Sequence, residues 1–288
     1  MIDVLRSPSD NGTPSSPDAI RKCIEEHGFA LAKGVFSPEE IATLREEVRD
    51  FFRTDGRCYD FGKTQPDAMS RIPSLRRLII DPRMLDLARA AAGRDDIQFT
   101  FHSDAHQNML SGWHTDTQAY FSREESSPAD FEVHKIGIYL QDHSSNKQGL
   151  TVVPGSHREP GLHAERAEAL STGIGDVVIF DVRIFHHGDK KHWHERVLRK
   201  VLPNESAAYT AGTMLRKLTG RADKLSIFFT YGWPNEHTRQ FALRNMKRQI
   251  AQNGNASREG WRDAAELLRH HGVPFADIES LMEETVSA

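Results

Sequence analysis

The hydrophobic pattern changes character twice along the chain. In the first third, apolar positions recur at helical spacing: Ile41, Leu44, Val48 and Phe51 or Phe52 form one stripe. The starts and stops around them fit helices. Ser16 and Pro17 open a helix over 17–27 that Gly28 ends, and Phe29 to Val35 reads as a short strand. Ser37-Pro38-Glu39-Glu40 combines a cap, a proline and a glutamate three residues on. Asp81-Pro82 starts a further helix that runs to about Gly93. From Gln98 to Phe185 the chain instead shows short runs of β-branched and aromatic residues. They are punctuated by Gly149, Pro154-Gly155 and Gly173 to Gly175. The expected strands are Ile97–Phe101, Gly112–Thr117, His134–Leu140, Leu150–Val153 and Asp176–Phe180. Residues 189–223 break this pattern with a basic, polar segment holding a helix around Ala207–Leu218. Strand character returns at Lys224–Tyr231, and two or three helices follow from Asn235.

Many short strands without alternating helices suggest a double-sheet jelly roll. The expected fold is therefore mainly β with flanking helices. A double-stranded β-helix core at about 97–232 follows a helical N-terminal region and precedes C-terminal helices at about 235–286. Residues 189–223 form a lid-like insertion in it, since a segment of that length in a compact domain is often functional. Residues 1–16, rich in Ser, Pro, Asp, Asn and Gly, read as a disordered leader, and 17–288 as a single domain.

Composition narrows the classes. Hydrophobic residues at 38% and charged residues at 27% suit a soluble globular protein. No apolar run is long enough for a membrane span, and the N-terminus lacks a signal-peptide pattern, so a cytoplasmic protein is expected. The net charge of −4, with dispersed basic residues, argues against a nucleic-acid partner. The two cysteines, Cys23 and Cys58, form no CxxC and suggest neither a disulfide framework nor a thiolate zinc site. A small-molecule substrate is expected, without a membrane partner; homo-oligomerisation stays compatible.

Histidine, at 15 residues, is the unusual count and directs attention to metal chemistry. Two histidines and a carboxylate on one face suit a mononuclear ferrous ion, leaving positions open for co-substrate and O₂. A His-x-Asp pair on a strand would place two such ligands on one face. Three pairs occur: His102/Asp104, His114/Asp116 and His187/Asp189. Trp113 before and Tyr120-Phe121 after single out His114/Asp116. His102/Asp104 reads equally as a turn or a hydrogen-bonded core histidine.

Three segments in order resemble the phytanoyl-CoA dioxygenase family. They are Trp113-His114-Thr115-Asp116, then Gly149 to His157 (GLTVVPGSH), then Gly175 to His186 (GDVVIFDVRIFH), and the resemblance spans residues 20–190. It implies an iron(II)- and 2-oxoglutarate-dependent dioxygenase, a hydroxylase using O₂. Its metal ligands would be His114, Asp116 and His186, with His187 the immediate competitor to His186. Pro154-Gly155-Ser156-His157 then reads as a family turn, and Arg183 as the partner of a nearby carboxylate. Related halogenases leave the carboxylate position open for halide, so Asp116 argues for hydroxylation. Desaturation, ring closure, or a jelly-roll metalloenzyme of another kind, isomerase-like or an oxidase not using 2-oxoglutarate, are the alternatives.

The family anchors the far carboxylate of 2-oxoglutarate with an arginine roughly a dozen residues beyond the distal histidine. Here the corresponding strand begins 38 residues beyond His186, with Lys224. Lys224 is the leading anchor, with Arg221, Arg196 and Arg199 as alternatives. Thr151 and Asn108 are further co-substrate candidates, and His192, Trp193 and Tyr120 substrate candidates. The basic insertion hints at a polar or anionic small molecule; the family name does not carry over its substrate.

Overall fold

Local helix signals set the first layer. In the computed structural model, which describes residues 16–145, 149–159, 164–189 and 193–286, Ser16 accepts from the Ala19 amide at 3.3 Å to cap α1 (Pro17–His27). Gly28 ends that helix at φ +82°. A reciprocal capping box between Ser37 and Glu40 starts α2 (Pro38–Thr54), at 3.2 and 2.8 Å. Asp81 caps α5 (Pro82–Ala92), after the short α3 (Ala68–Arg71) and α4 (Pro73–Leu78). The expected leader lies, Ser16 apart, outside the described residues.

Two antiparallel sheets follow. The larger has the order β1-β8-β5-β10-β4-β3-β2. Its strands are β1 (Phe29–Ala32), β2 (Arg57–Tyr59), β3 (Gly62–Pro66), β4 (Gln98–Gln107), β5 (Val133–Tyr139), β8 (Val177–Asp181) and β10 (Leu225–Gly232). The smaller, β7-β6-β9, is built from β6 (Thr151–Val152), β7 (Glu168–Ala169) and β9 (His186–His187). This is the jelly-roll core. One face of the large sheet presents Phe99, Ala105, Ile136, Ile179, Ile227 and Phe229 to α2, α5 and the C-terminal helices α8 (Glu236–Asn253), α9 (Asn255–His270) and α10 (Ile278–Val286). At one end the opposite face packs Phe29, Leu31, Val178 and Phe180 against Leu150, Val152 and Ile184. Toward the other end it turns polar and opens as a cavity.

Three expectations change. Residues 112–117 form no continuous strand. His114 exchanges both main-chain bonds with His186, at 2.9 Å each, but Asp116 then turns to donate to the Val182 carbonyl, and a 3-10 turn follows at Thr117–Ala119. The β2–β3 hairpin was not expected, because Gly62, Lys63, Gln65 and Pro66 carry little strand preference; pairing with β4 makes β3. The inserted segment holds two helices, α6 (Trp193–Val201) and α7 (Glu205–Thr219), the second covering the one expected. They fasten to the body by packing Leu198, Leu202 and Ala208 on Phe61 and Leu110. Among the described residues no helix is long and apolar enough to cross a membrane.

Candidate metal centre and its cavity

His114 and His186 face each other across their main-chain bridge, ring centroids 4.3 Å apart. Each Nδ1 donates to the carbonyl two residues back: Gly112 at 2.8 Å for His114, Ile184 at 2.9 Å for His186. Those bonds put the proton on Nδ1 and leave each Nε2 lone pair free. Asp116 Oδ1 lies 4.0 Å from His114 Nε2, and one ligand atom from each of the three residues fits within 4.8 Å of the others. Asp116 Oδ2 sits 2.8 Å from Lys135 Nζ.

Protonation states follow from surroundings. Burial would raise the Asp116 pKa, but the Lys135 ammonium, with His186 and His114, holds it well below the usual carboxylate range. Burial pushes His186 down to about 4, against the pull of Asp116. Near neutral pH His186 therefore presents a neutral imidazole and Asp116 an ionised carboxylate, the forms that bind a divalent cation.

The competing pairs are accounted for. His187 points to the other face of its short strand, edge-on to Trp113 at 4.4 Å between ring centroids. His102 is a buried core histidine, bonded to Asp104 at 3.2 Å and Thr230 at 2.8 Å. Arg183 pairs with Asp181 at 2.5 Å.

A cavity of about 440 Å³ runs from His114, Asp116 and His186 to the start of β10. Lys224 lines it there, buried, with its pKa pushed down to about 8 by burial, against Asp189. Tyr120 also lines it. Other expected contributors are placed elsewhere. Asn108 clasps the main chain: its Oδ1 accepts from the Lys224 amide at 2.8 Å and its Nδ2 donates to Asp223 at 2.9 Å, so it supports the lysine and offers no amide to the cavity. Thr151 pairs with His187, one residue out of phase with His186, so its hydroxyl faces away from the metal side. Arg221 does not line the cavity. Arg199 binds Asp60 and Glu205. Arg196 and Trp113 line an outer cavity of about 770 Å³ that shares Asp104, His106, His114 and Arg248 with the inner one. Trp193 is 77% exposed, and His192 lies outside the described residues.

Several lining residues were missed. Ser226 lies two residues beyond Lys224 on the same face, a spacing visible in the sequence. Lys135 and Tyr139 alternate likewise on β5, and His102, Asp104 and His106 on β4. Arg248 on α8 reaches Asp104 from 144 residues away, and no local pattern announces that.

Residues 24–192 match the family described as "Phytanoyl-CoA dioxygenase (PhyH)". The chain belongs to this family. Among curated proteins, an ectoine dioxygenase of Bordetella bronchiseptica is 28% identical over 152 residues, covering 47% of each chain. The phytanoyl-CoA dioxygenase-family chain described here thus spans about half the length of the curated relatives it matches. Solved structures show the same fold. The non-heme α-ketoglutarate-dependent epimerase SnoN from nogalamycin biosynthesis has a TM-score of 0.55 at 16% identity, over 75% of this chain and 82% of its own. EctD from S. alaskensis with bound Fe has a TM-score of 0.55 at 18% identity, over 80% and 81%.

Proposed function

We propose that this chain is an iron(II)- and 2-oxoglutarate-dependent dioxygenase that hydroxylates an unactivated C–H bond of a small polar molecule. One observation carries the reading: His114, Asp116 and His186 converge at one end of a cavity whose other end holds the buried Lys224. The donor set fits ferrous iron. Two imidazole nitrogens and one carboxylate oxygen come from one side, and the other side opens on the cavity. His114, Asp116 and His186 would hold the metal; Lys224, with the Ser226 hydroxyl beside it, would receive the far carboxylate of 2-oxoglutarate. When bound, iron and 2-oxoglutarate supply the oxidising chemistry, with succinate and CO₂ released.

The protein's part is positioning and shielding. The main-chain bonds at Gly112 and Ile184 fix both imidazoles. Lys135 keeps Asp116 ionised and turned toward the cluster. Leu150, Phe180 and Phe228 line the cavity with apolar surface that limits water. Lys224 supplies a charge on a short, clasped segment, which compensates for the weaker orientation of an ammonium relative to a guanidinium fork.

The fold alone does not choose the outcome, since an epimerase shares it. Asp116 fills the carboxylate position, which favours hydroxylation over halide transfer. The test is anaerobic addition of iron(II) and 2-oxoglutarate to the full chain. A weak visible charge-transfer band is expected, absent in His114→Ala. Under air, succinate should form, and the product should gain one oxygen atom. Absence of both band and succinate refutes the proposal; succinate with an isomerised or cyclised product corrects the outcome only.

A further inference from the structure

Arg248 is a cation of the metal cavity that neither iron nor 2-oxoglutarate uses in the reading above. Its Nη2 is held three ways: by Asp104 Oδ1 at 3.1 Å, Asp104 Oδ2 at 3.2 Å and Asn245 Oδ1 at 3.0 Å. All three contacts fall on one nitrogen. The Nε is buried and makes no hydrogen bond among the described residues. The side chain lines both the inner and the outer cavity, together with His114, Asp104 and His106.

A buried donor left without a partner costs about 1–3 kcal/mol, and more on a charged group. A flexible arginine would ordinarily turn to avoid that cost. Asp104 and Asn245 prevent it by fixing Nη2, and the guanidinium, with 29% of the side chain still exposed, is held in place on the cavity wall as a preorganised anion receptor. Asp104 is already engaged on both oxygens. Arg248 takes Oδ1, while His102 and Arg248 share Oδ2.

Charge balance points the same way. The cavity is lined by three cations, Lys135, Lys224 and Arg248, and by two carboxylates, Asp104 and Asp116. A divalent metal and a 2-oxoglutarate dianion offset each other, and among the lining residues the cations outnumber the carboxylates by one. A single negative charge on the substrate neutralises the closed site, whereas a phosphate dianion overshoots it.

We propose that the substrate carries a carboxylate and that the exposed part of the Arg248 guanidinium receives it, beside the metal and across the wall shared by the two cavities. This rests on the iron and 2-oxoglutarate reading above.

The experiment uses the full chain loaded with nickel(II), which binds without turnover. The melting temperature is followed while 2-oxoglutarate is added, and then a series of small linear and cyclic carboxylic acids, their primary amides and matched phosphate monoesters. Members of the acid series should raise the melting temperature; amides and phosphate esters should not. Arg248→Gln should weaken acid binding on the order of tenfold or more, as expected for one charge-assisted contact. It should leave 2-oxoglutarate affinity within about twofold, because by this reading Lys224 holds that anion. Arg248→Lys, which keeps the charge but loses the planar guanidinium that Asp104 and Asn245 hold in place, should also weaken the acids. Amides or phosphate esters binding as well as acids, no response to any acid, or acid binding unchanged in Arg248→Gln overturns the inference. So does Arg248→Gln weakening 2-oxoglutarate as strongly as the acids. No stabilisation by 2-oxoglutarate itself sinks the underlying reading, and is seen before any acid is added.

Discussion

Replacing Lys224 with alanine isolates the co-substrate anchor from the metal. The lysine is buried, and burial brings its pKa down to about 8. At pH 7 roughly nine-tenths of the chains therefore still carry the charge. A hydrogen bond to a charged group contributes about 1.5–3 kcal/mol, and about 1.4 kcal/mol is tenfold in affinity. Lys224→Ala should therefore weaken 2-oxoglutarate by about ten- to a hundredfold. Water entering the vacated space would solvate part of the carboxylate, which favours the lower half of that range. The assay is anaerobic titration of the iron(II) protein with 2-oxoglutarate, read from the visible band, beside KM for succinate release. Both constants should rise together, while the band at saturation keeps its position because the metal end is intact. The wild-type affinity should also fall as pH rises through about 8, since the carboxylate needs the protonated amine. Lys224→Ala should lose that dependence. Affinity within about threefold of wild type in Lys224→Ala, or the same loss in Arg221→Ala, would refute the assignment.

Further outcomes follow from other contacts. Asn108→Ala removes the bonds to the Lys224 amide and to Asp223, costing about 1–3 kcal/mol of stability by denaturant unfolding; 2-oxoglutarate KM should rise as the anchor loosens. Gly175 sits at φ +85°, and a Cβ there would lie 2.0 Å from the Phe36 carbonyl oxygen. Gly175→Ala should destabilise by about 2 kcal/mol or more, seen as a lower Tm with the metal site unaltered once folded. Asp67 is buried near Ser70, Ser257 and Trp261, and burial raises its pKa to about 7. The unfolded state gives up this proton near pH 4, so stability is lost as pH rises from about 4 to about 7 and then stays level. Asp67→Asn should raise Tm at pH 8 and change it little near pH 4; an equal change at both would contradict the buried protonated carboxyl.

Legibility in the sequence followed the locality of the cause. Helices α1, α2 and α5 were readable because each start depends on residues within one turn, as with Ser37 and Glu40. The central strands β5, β8 and β10 were readable because β-branched and aromatic runs mark them. β3 was not, since its strand state comes from pairing with β4. Helix α6 was missed because its apolar contact is the half-buried Leu198, packed on distant Phe61 and Leu110, while the buried side chain among those described is Glu195. In the site, the family motifs led to His114, Asp116 and His186, and the break in the arginine pattern led to Lys224. For the same reason the sequence does not show where Asn108 and Thr151 point. Each lies near the cavity in sequence, but the direction of its side chain is set by a partner on another strand.

The choice between His186 and His187 shows how narrow that dependence is. Both are buried, adjacent, and in a strand of only two residues. Nothing in their chemistry separates them. Register does: Val152 opposes His186 and Thr151 opposes His187, and the bridge from His114 engages His186 on its other side. Successive side chains alternate between faces, so a slip of one residue would bring His187 to Asp116 and turn His186 toward Trp113. Two features resist the slip. Trp113 stacks on Phe185 at 4.9 Å while His187 meets its edge, filling the outer face. Phe185 also donates its amide to Ser156 at 2.8 Å, and Ser156 is buried in the Pro154 to His157 turn. That turn carries no ligand of its own. By holding Phe185, it fixes which histidine reaches the metal side, which gives the GSH segment a physical role in the site that its position outside the cavity would conceal.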